Sequence, residues 1–235
     1  MARWPRPRAD TPRALLPRGA PATLAAMTTE FILLRHGETE WNALGRLQGH
    51  LNSTLSREGL RQAEALAARL APLPFQALYS SDLDRAVQTA SRIAARTGHG
   101  LQRDARLRER GLGVLEGLTR AEAGQRHPEV FSAYTEGHAD YVVPEGESAS
   151  QRLRLALHCL EELGARHPEA RVVVVTHGGV LSALLRHCLG IPAHAPRSFS
   201  VLNAGWNQFD LHQGALRMVT WGDVSHLRAL SLDDT

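Results

Sequence analysis

The chain has 235 residues, enough for one domain with a proper core, and all 27 of its basic residues are arginine. A P-loop, a pyridoxal enzyme and a Schiff-base aldolase each need a lysine amine, so all three are excluded. The net charge of +3 sits at the front: residues 1–26 hold Arg3, Arg6, Arg8, Arg13 and Arg18 against Asp10, which leaves 22 Arg against 23 acidic residues in the remainder. The body is therefore not a basic nucleic-acid binder, and no apolar run approaches the roughly 18 residues of a membrane span.

Residues 1–26 are rich in Arg, Pro and Ala, without the long apolar stretch of a secretory signal. The five prolines there predict a disordered tail, and Met27 can serve as the true start. The domain is expected over 27–235. Phe31–Leu34 reads as a short strand ending at Arg35-His36-Gly37. Ser56 caps a helix to Leu70, with Leu60, Ala63, Leu66, Ala67 and Leu70 at helical spacing and Pro72 and Pro74 as the stop. Phe75–Tyr79 is a strand, and Ser81 or Asp82 caps the next helix, which runs to about Thr97 with Gly98 beyond.

Residues 119–136 read as short helices broken at Pro128, inside an excursion of about 117–146 with the character of a lid. Pro144-Glu145-Gly146-Glu147-Ser148 is a turn, and Ser148 caps a long helix to about Arg166. Arg171–Thr176, with four consecutive valines, is the clearest buried strand. His177-Gly178-Gly179 opens a helix to Leu189, and two or three strands follow between Ser198 and Trp221. This alternation predicts a three-layer α/β/α sandwich with a mostly parallel central sheet. Cys159 and Cys188 lack paired spacing and read as free thiols, which points to the cytoplasm.

Two strand ends carry the chemistry. Leu34-Arg35-His36-Gly37 and Thr176-His177-Gly178 each place an imidazole past the C-terminal end of a buried strand, the edge where open α/β sheets bind ligands. The other ten histidines read as solvated or locally satisfied. Tyr79-Ser80-Ser81-Asp82-Leu83-Asp84-Arg85 runs into a helix N-terminus, where free N–H groups favour an anion. Arg85 read alone divides evenly between an ion pair with Asp82 or Asp84 and an anion ligand. Together Arg35, Arg85, His36 and His177 offer two guanidinium forks and two imidazoles, a set suited to phosphoryl transfer onto a histidine. Neither a His-x-x-x-His pair with a nearby Glu, nor Cys-x-x-Cys, nor a carboxylate-rich cluster is present, so neither a metal nor a cofactor is expected.

At these residues the chain resembles the histidine phosphatase superfamily, the phosphoglycerate mutase-like clan, from Met27 to about Ala229. Leu33 to Asn42 resembles the family's signature, Ser80 to Ala90 its second block, and Val175 to Gly179 its last. The resemblance implies that His36 is phosphorylated during turnover, that Arg35, Arg85 and His177 complete the phosphate pocket with Gly178, and that Asn42 adds a side-chain contact. It implies a glutamate general acid, assigned to Glu109 with Glu116 as the fallback, and a substrate-entrance loop at Gln48-Gly49. The implied activity is a metal-independent phosphomonoester hydrolase acting on a small phosphorylated metabolite. Nucleic acid and membrane are not expected as partners, and a homodimer is compatible with the sequence. One alternative is a cofactor-dependent phosphoglycerate mutase. Against it stand Leu112 where mutases usually carry Tyr, the lack of lysine, and the lack of any Arg-Arg dipeptide, so that the charges to grip a phosphoglycerate carboxylate are expected to be largely missing. A second alternative is a non-catalytic phosphate-binding module.

Overall fold

A computed structural model of the chain describes residues 28–231, with side chains to residue 228. The expected tail, residues 1–26, lies outside these residues. Six strands form one sheet: β1 Thr28–Arg35, β2 Ala77–Ser80, β3 Leu101–Arg103, β4 Arg171–Thr176, β5 Trp206–His212 and β6 Ala215–Asp223. The α-helices are α1 Glu40–Ala43, α2 Arg57–Leu70, α3 Asp84–Thr97, α4 Arg120–Arg126, α5 Pro128–Glu136, α6 Ala149–Arg166 and α7 Gly178–Leu189. The strand order is β3-β2-β4-β1-β5-β6. The first four strands run parallel, and β5 and β6 close the sheet antiparallel.

Alternation along the central strands builds the three layers. Phe31, Leu33, Val172 and Val174 face α6 and α7, meeting Leu160, Leu163, Leu181 and Leu184. Ile32, Leu34, Val173 and Val175 face α2 and α3, meeting Leu66, Leu70, Ala86 and Ile93. Both faces of β4 are thus buried, which is why its valine run does not alternate with polar residues. Each such side chain contributes about 1.5–3 kcal/mol by leaving water.

Register decides where the chemistry falls. Arg35 lies opposite Thr176, and Ser80 opposite Val175. The ladder continues one residue past the strands, with His36 N donating to Thr176 O at 3.0 Å and Ser81 N to Val175 O at 2.9 Å. Three strands therefore end side by side, releasing His36, Ser81 and His177 at one edge.

Local expectations hold for α2, α6, α7 and β4, and the break between α4 and α5 falls at Pro128. β2 starts later than expected, at Ala77: after Pro74 the chain joins the ladder only at Gln76, whose N–H reaches Arg171 O at 2.9 Å. Neither Ser81 nor Asp82 caps α3. Leu83 holds that position without a side-chain bond, because Asp82 is forked onto Arg108 and Ser81 is engaged with His177. Two strands, not three, follow Ser198, since Leu202–Gly205 is a turn. The excursion shares a small core with the segment before it, Leu112 and Leu115 with Ala123 and Val143, packed by Phe131, Tyr134 and Tyr141.

The α6 cap is a capping box: Gln151 N donates to Ser148 Oγ at 3.1 Å and Ser148 N to Gln151 Oε1 at 2.8 Å. Ser148→Ala is expected to lower unfolding free energy by about 1 kcal/mol in urea denaturation. An unshifted midpoint would show that α6 is held by packing alone.

Candidate active site

The strand edge opens into a cleft of about 920 Å³ whose lining includes Arg35, His36, Asn42, Gln48, Arg85, Glu109 and Gly178. His36 is 3 % exposed and His177 fully buried, with ring centroids 5.2 Å apart. His36 Nδ1 lies 2.7 Å from Gly37 O. A carbonyl only accepts, so Nδ1 carries the proton and Nε2 presents its lone pair. His177 Nε2 lies 2.8 Å from Ser81 Oγ, which already accepts from Leu83 N. In the tautomer in which the hydroxyl donates to Nε2, the proton of His177 sits on Nδ1. Burial, followed by the charges of Arg85 and Arg35, pushes His36 well below its ordinary 6.5. Burial first, then Arg85, His36 and Arg35, does the same to His177. Both imidazoles are neutral at pH 7.

Arg85 is 1 % exposed. Its fork donates to Leu51 O at 2.9 Å and Gly49 O at 2.8 Å. Burial pulls its pKa down to about 10, so it stays charged at neutral pH. Arg35 Nη1 donates to Val201 O. Among the described residues four buried donor atoms find no hydrogen-bond acceptor: Arg35 Nε, Arg85 Nε and His177 Nδ1 beside His36, and Arg152 Nε, which faces Glu147 at 3.7 Å. Buried donors are normally paired, so the three beside His36 make a socket that an anion would satisfy.

Glu109 stands at the start of α7, where its Oε2 accepts from Gly179 N at 2.8 Å and its Oε1 from Arg110 N at 2.9 Å. It is in no ion pair with its neighbouring arginines. A Cβ at Gly179 would lie 2.2 Å from Glu109 Oε1, so glycine is what admits the carboxylate there. Glu116, the fallback acid, is absent from the cleft lining. Its Oε1 accepts from His50 N and Leu112 N, each at 2.8 Å, and its Oε2 from Leu51 N at 3.2 Å. Gly49, at φ +54, accommodates it, since a Cβ would fall 2.0 Å from Glu116 Oε1. Glu116 thereby fixes the loop whose carbonyls grip Arg85. Asn42 Oδ1 accepts from Thr39 N and Asn203 Nδ2, and Gln48 Nε2 donates to Thr39 Oγ1 at 2.8 Å.

The model of the histidine phosphatase superfamily (branch 1) matches residues 31–224. The chain belongs to the histidine phosphatase superfamily. It is 39 % identical over 202 residues to phosphoglycerate mutase-like protein 4 of Arabidopsis thaliana, covering 84 % of this chain and 86 % of that one. It is 39 % identical over 208 residues to the metal-independent phosphoserine phosphatase of the same plant, covering 86 % and 84 %. Among solved structures, a mycobacterial glucosyl-3-phosphoglycerate phosphatase complexed with VO3 superposes with a TM-score of 0.73 at 32 % identity, covering 82 % of this chain and 98 % of that chain.

Within this superfamily fold, every residue singled out from sequence except Glu116 borders the pocket or, as with His177, abuts it. Ser81, Val201 O and the Gly49 and Leu51 carbonyls were not anticipated, because each acts through a backbone atom or a contact distant in sequence. His50 is not merely satisfied locally: its ring reaches Glu109 O, 59 positions away, at 2.8 Å. The expected shortage of charge in the cleft is corrected, since eight arginines and two glutamates line it. Arginines far apart in sequence converge there, which a search for an Arg-Arg dipeptide does not detect.

Glu116→Ala is expected to weaken inorganic phosphate binding roughly tenfold in titration calorimetry, with Glu116→Gln closer to wild type, because three N–H groups lose their acceptor. Equal affinity in all three proteins would show that the loop needs no such anchor. A second expectation concerns pH. Unfolded, a histidine takes up a proton below about pH 6.5, while folded His36 and His177 stay neutral there and His226 is held down to about 4 by burial and Arg69. The unfolded chain binds more protons as pH falls, so stability should decline from pH 6.5 downward, each group approaching about 1.4 kcal/mol per pH unit. Urea denaturation of His177→Gln should show a slope shallower by that amount, and an unchanged slope would mean that His177 does not stay neutral.

Proposed function

We propose that the chain hydrolyses phosphomonoesters of small metabolites through a phosphohistidine at His36. The observation that carries this reading is the socket of three unpaired buried donors around a neutral imidazole whose Nε2 lone pair is free. In the first step Nε2 attacks phosphorus, and the P–O bond to the leaving group breaks. Arg35, Arg85 and His177 Nδ1–H hold the three phosphoryl oxygens, where negative charge must be neutralised for transfer to proceed. Glu109, at the rim, gives its proton to the departing alkoxide. In the second step water attacks the phosphohistidine, Glu109 as carboxylate takes the water's proton, and phosphate leaves with Nε2 restored. Asn42 and Gln48 border the entrance and orient the ester. Gly178 lets the chain pass Arg35, since a Cβ there would lie 3.3 Å from Arg35 Nε.

The relatives named phosphatase support this reading, and the relative named mutase-like is its competitor. Among the described residues no group of three or more His, Cys, Asp or Glu is arranged to hold a metal, and no helix is long and apolar enough to cross a membrane. The free thiols Cys159 and Cys188 fit the cytoplasm.

The test is p-nitrophenyl phosphate hydrolysis in EDTA, with alkaline-quench trapping of the phosphoenzyme. Wild type is expected to turn over and to yield an acid-labile, base-stable phosphoprotein, and His36→Ala to do neither. Arg85→Ala should cost about 2–4 kcal/mol in kcat/KM, as for loss of a preorganised donor. Full activity of His36→Ala would end the proposal. Isomerisation of 3-phosphoglycerate dependent on 2,3-bisphosphoglycerate and outpacing phosphate release would favour the mutase.

A further inference from the structure

The sequence places His226 among the locally satisfied histidines, yet its ring joins α2 to the turn beside His36. Arg69 Nη1, from α2, donates to His226 Nδ1 at 3.1 Å, and His226 Nε2 lies 3.1 Å from Ala204 O. A guanidinium only donates and a carbonyl only accepts. Both contacts therefore demand the same neutral tautomer, with the proton on Nε2. Arg69 is itself held: its Nη2 donates to Asp223 Oδ2, and its guanidinium lies 4.2 Å over the Trp206 ring. Asp223 Oδ1 accepts from Ser225 N at 2.8 Å, at the start of the short helix Ser225–Ser231. Leu227, the residue after His226, packs against the core that α2 and α3 share with the sheet.

Ala204 is the far end of this brace and the near end of another. It is fully buried and sits at φ +53, a left-handed conformation that a residue with a Cβ holds only where its surroundings impose it. Here both of its polar groups are engaged. Its carbonyl accepts from His226, and its N–H donates to His36 O at 3.2 Å. The flanking residues add to the grip: Asn203 Nδ2 donates to His36 O at 3.1 Å, and Arg35 N donates to Gly205 O at 3.2 Å. β1 pairs with β5 only as far as Leu34 opposite Trp206. Past that point the turn Leu202–Gly205 holds Arg35 and His36 on one side, while Thr176 O holds His36 N on the other.

We infer that His226 is a positioning residue for the nucleophile: through the Ala204 peptide it fixes the main chain of His36, and so aims the His36 ring at the phosphorus. This deepens the hydrolase reading and rests on it for the role of His36. His36 Nδ1 is bonded to the carbonyl of Gly37, so movement of this stretch of main chain turns the Nε2 lone pair with it. Attack depends on aim at short range. The grip on phosphate is less exposed to the change, because Arg85 is held by Gly49 and Leu51 and His177 by Ser81, none of which belongs to the turn. Loss of the brace therefore falls on the rate of transfer more than on affinity.

The experiment compares His226→Leu, which removes the donor, with His226→Gln, whose amide N–H can stand in for Nε2–H. Single-turnover formation of the phosphoenzyme from p-nitrophenyl phosphate, followed well below each protein's Tm, is expected to slow roughly tenfold in the leucine variant. The glutamine variant is expected to recover most of that rate, and calorimetric affinity for inorganic phosphate to stay within about twofold in both. His226→Asn, polar but too short to reach Ala204, is expected to match leucine and takes its place if the leucine protein does not fold. A lower Tm with an unchanged transfer rate would show a purely structural role and overturn the inference. So would a loss of phosphate affinity as large as the loss of rate. Ring 15N spectra of His36 read the same point without substrate: wild type and His226→Gln should show the Nδ1-protonated tautomer, and His226→Leu a mixture of tautomers. Identical spectra in all three would also overturn it. Hydrolysis of p-nitrophenyl phosphate by the wild-type chain reports separately on the hydrolase reading, so the two can fail independently.

Discussion

Desolvated positive charge beside two imidazoles is the constraint on which the rest of this structure depends. Arg85 is almost wholly buried, and Arg35 lies beside it at the end of β1. Taking a guanidinium out of water costs several kcal/mol even after relaxation. Carbonyls of Gly49, Leu51 and Val201 offset part of that cost. They leave one donor on each arginine unpaired, so the protein by itself does not complete the site. The same charges and the same burial keep His36 and His177 neutral. One feature therefore does two things: it holds a place for a dianionic group, and it keeps a lone pair available beside that group.

Such an arrangement must be held from outside, because like charges repel and unpaired donors would otherwise turn to solvent. Glu116 supplies one brace, three backbone bonds that fix the loop beneath Arg85. The start of α7 supplies another, where Gly179 leaves room for Glu109. Thr39 supplies a third: it caps α1 and anchors both Asn42 and Gln48. None of these bonds touches the socket donors, yet each sets the direction of something that borders the pocket.

Legibility from sequence follows the range of the interaction. The valines of β4 and the Ser56 and Ser148 caps were readable because each depends on neighbours a few residues away. β3 escaped notice because three residues, Leu101-Gln102-Arg103, are too few and too polar to show a period. α1 was likewise too short. The α3 cap was misread because Asp82 and Ser81 are claimed by Arg108 and His177, partners 26 and 96 positions away. His36, Arg35, Arg85 and His177 could be grouped in advance because strand ends in a parallel sheet share an edge. The register confirms that sharing, residue against residue. Glu109 and Glu116 look alike in sequence and are separated only in three dimensions, by the backbone N–H groups they meet and by the fact that Glu109 alone of the two lines the cleft.

Arg120 and Arg197, exposed residues of the cleft lining, show the opposite limit. A buried, preorganised donor is worth several kcal/mol to a transition state, whereas an exposed ion pair gives about 1 kcal/mol or less. In the proposed hydrolase the socket therefore dominates affinity for a phosphate ester, and exposed charges at the rim contribute little. A fold so divided keeps its chemistry while its rim residues change, because substitutions there shift preference by small factors and leave the floor intact. That division fits a family in which relatives equally similar to this chain bear the names of a mutase-like protein and a phosphatase. In this chain Arg120 lies over the Phe131 ring and Arg110 over that of Tyr134, and the two rings stand 6.2 Å apart. The small core of Leu112, Leu115, Ala123 and Val143 packs against both rings, so packing in a segment remote from His36 sets where the rim of the cleft stands.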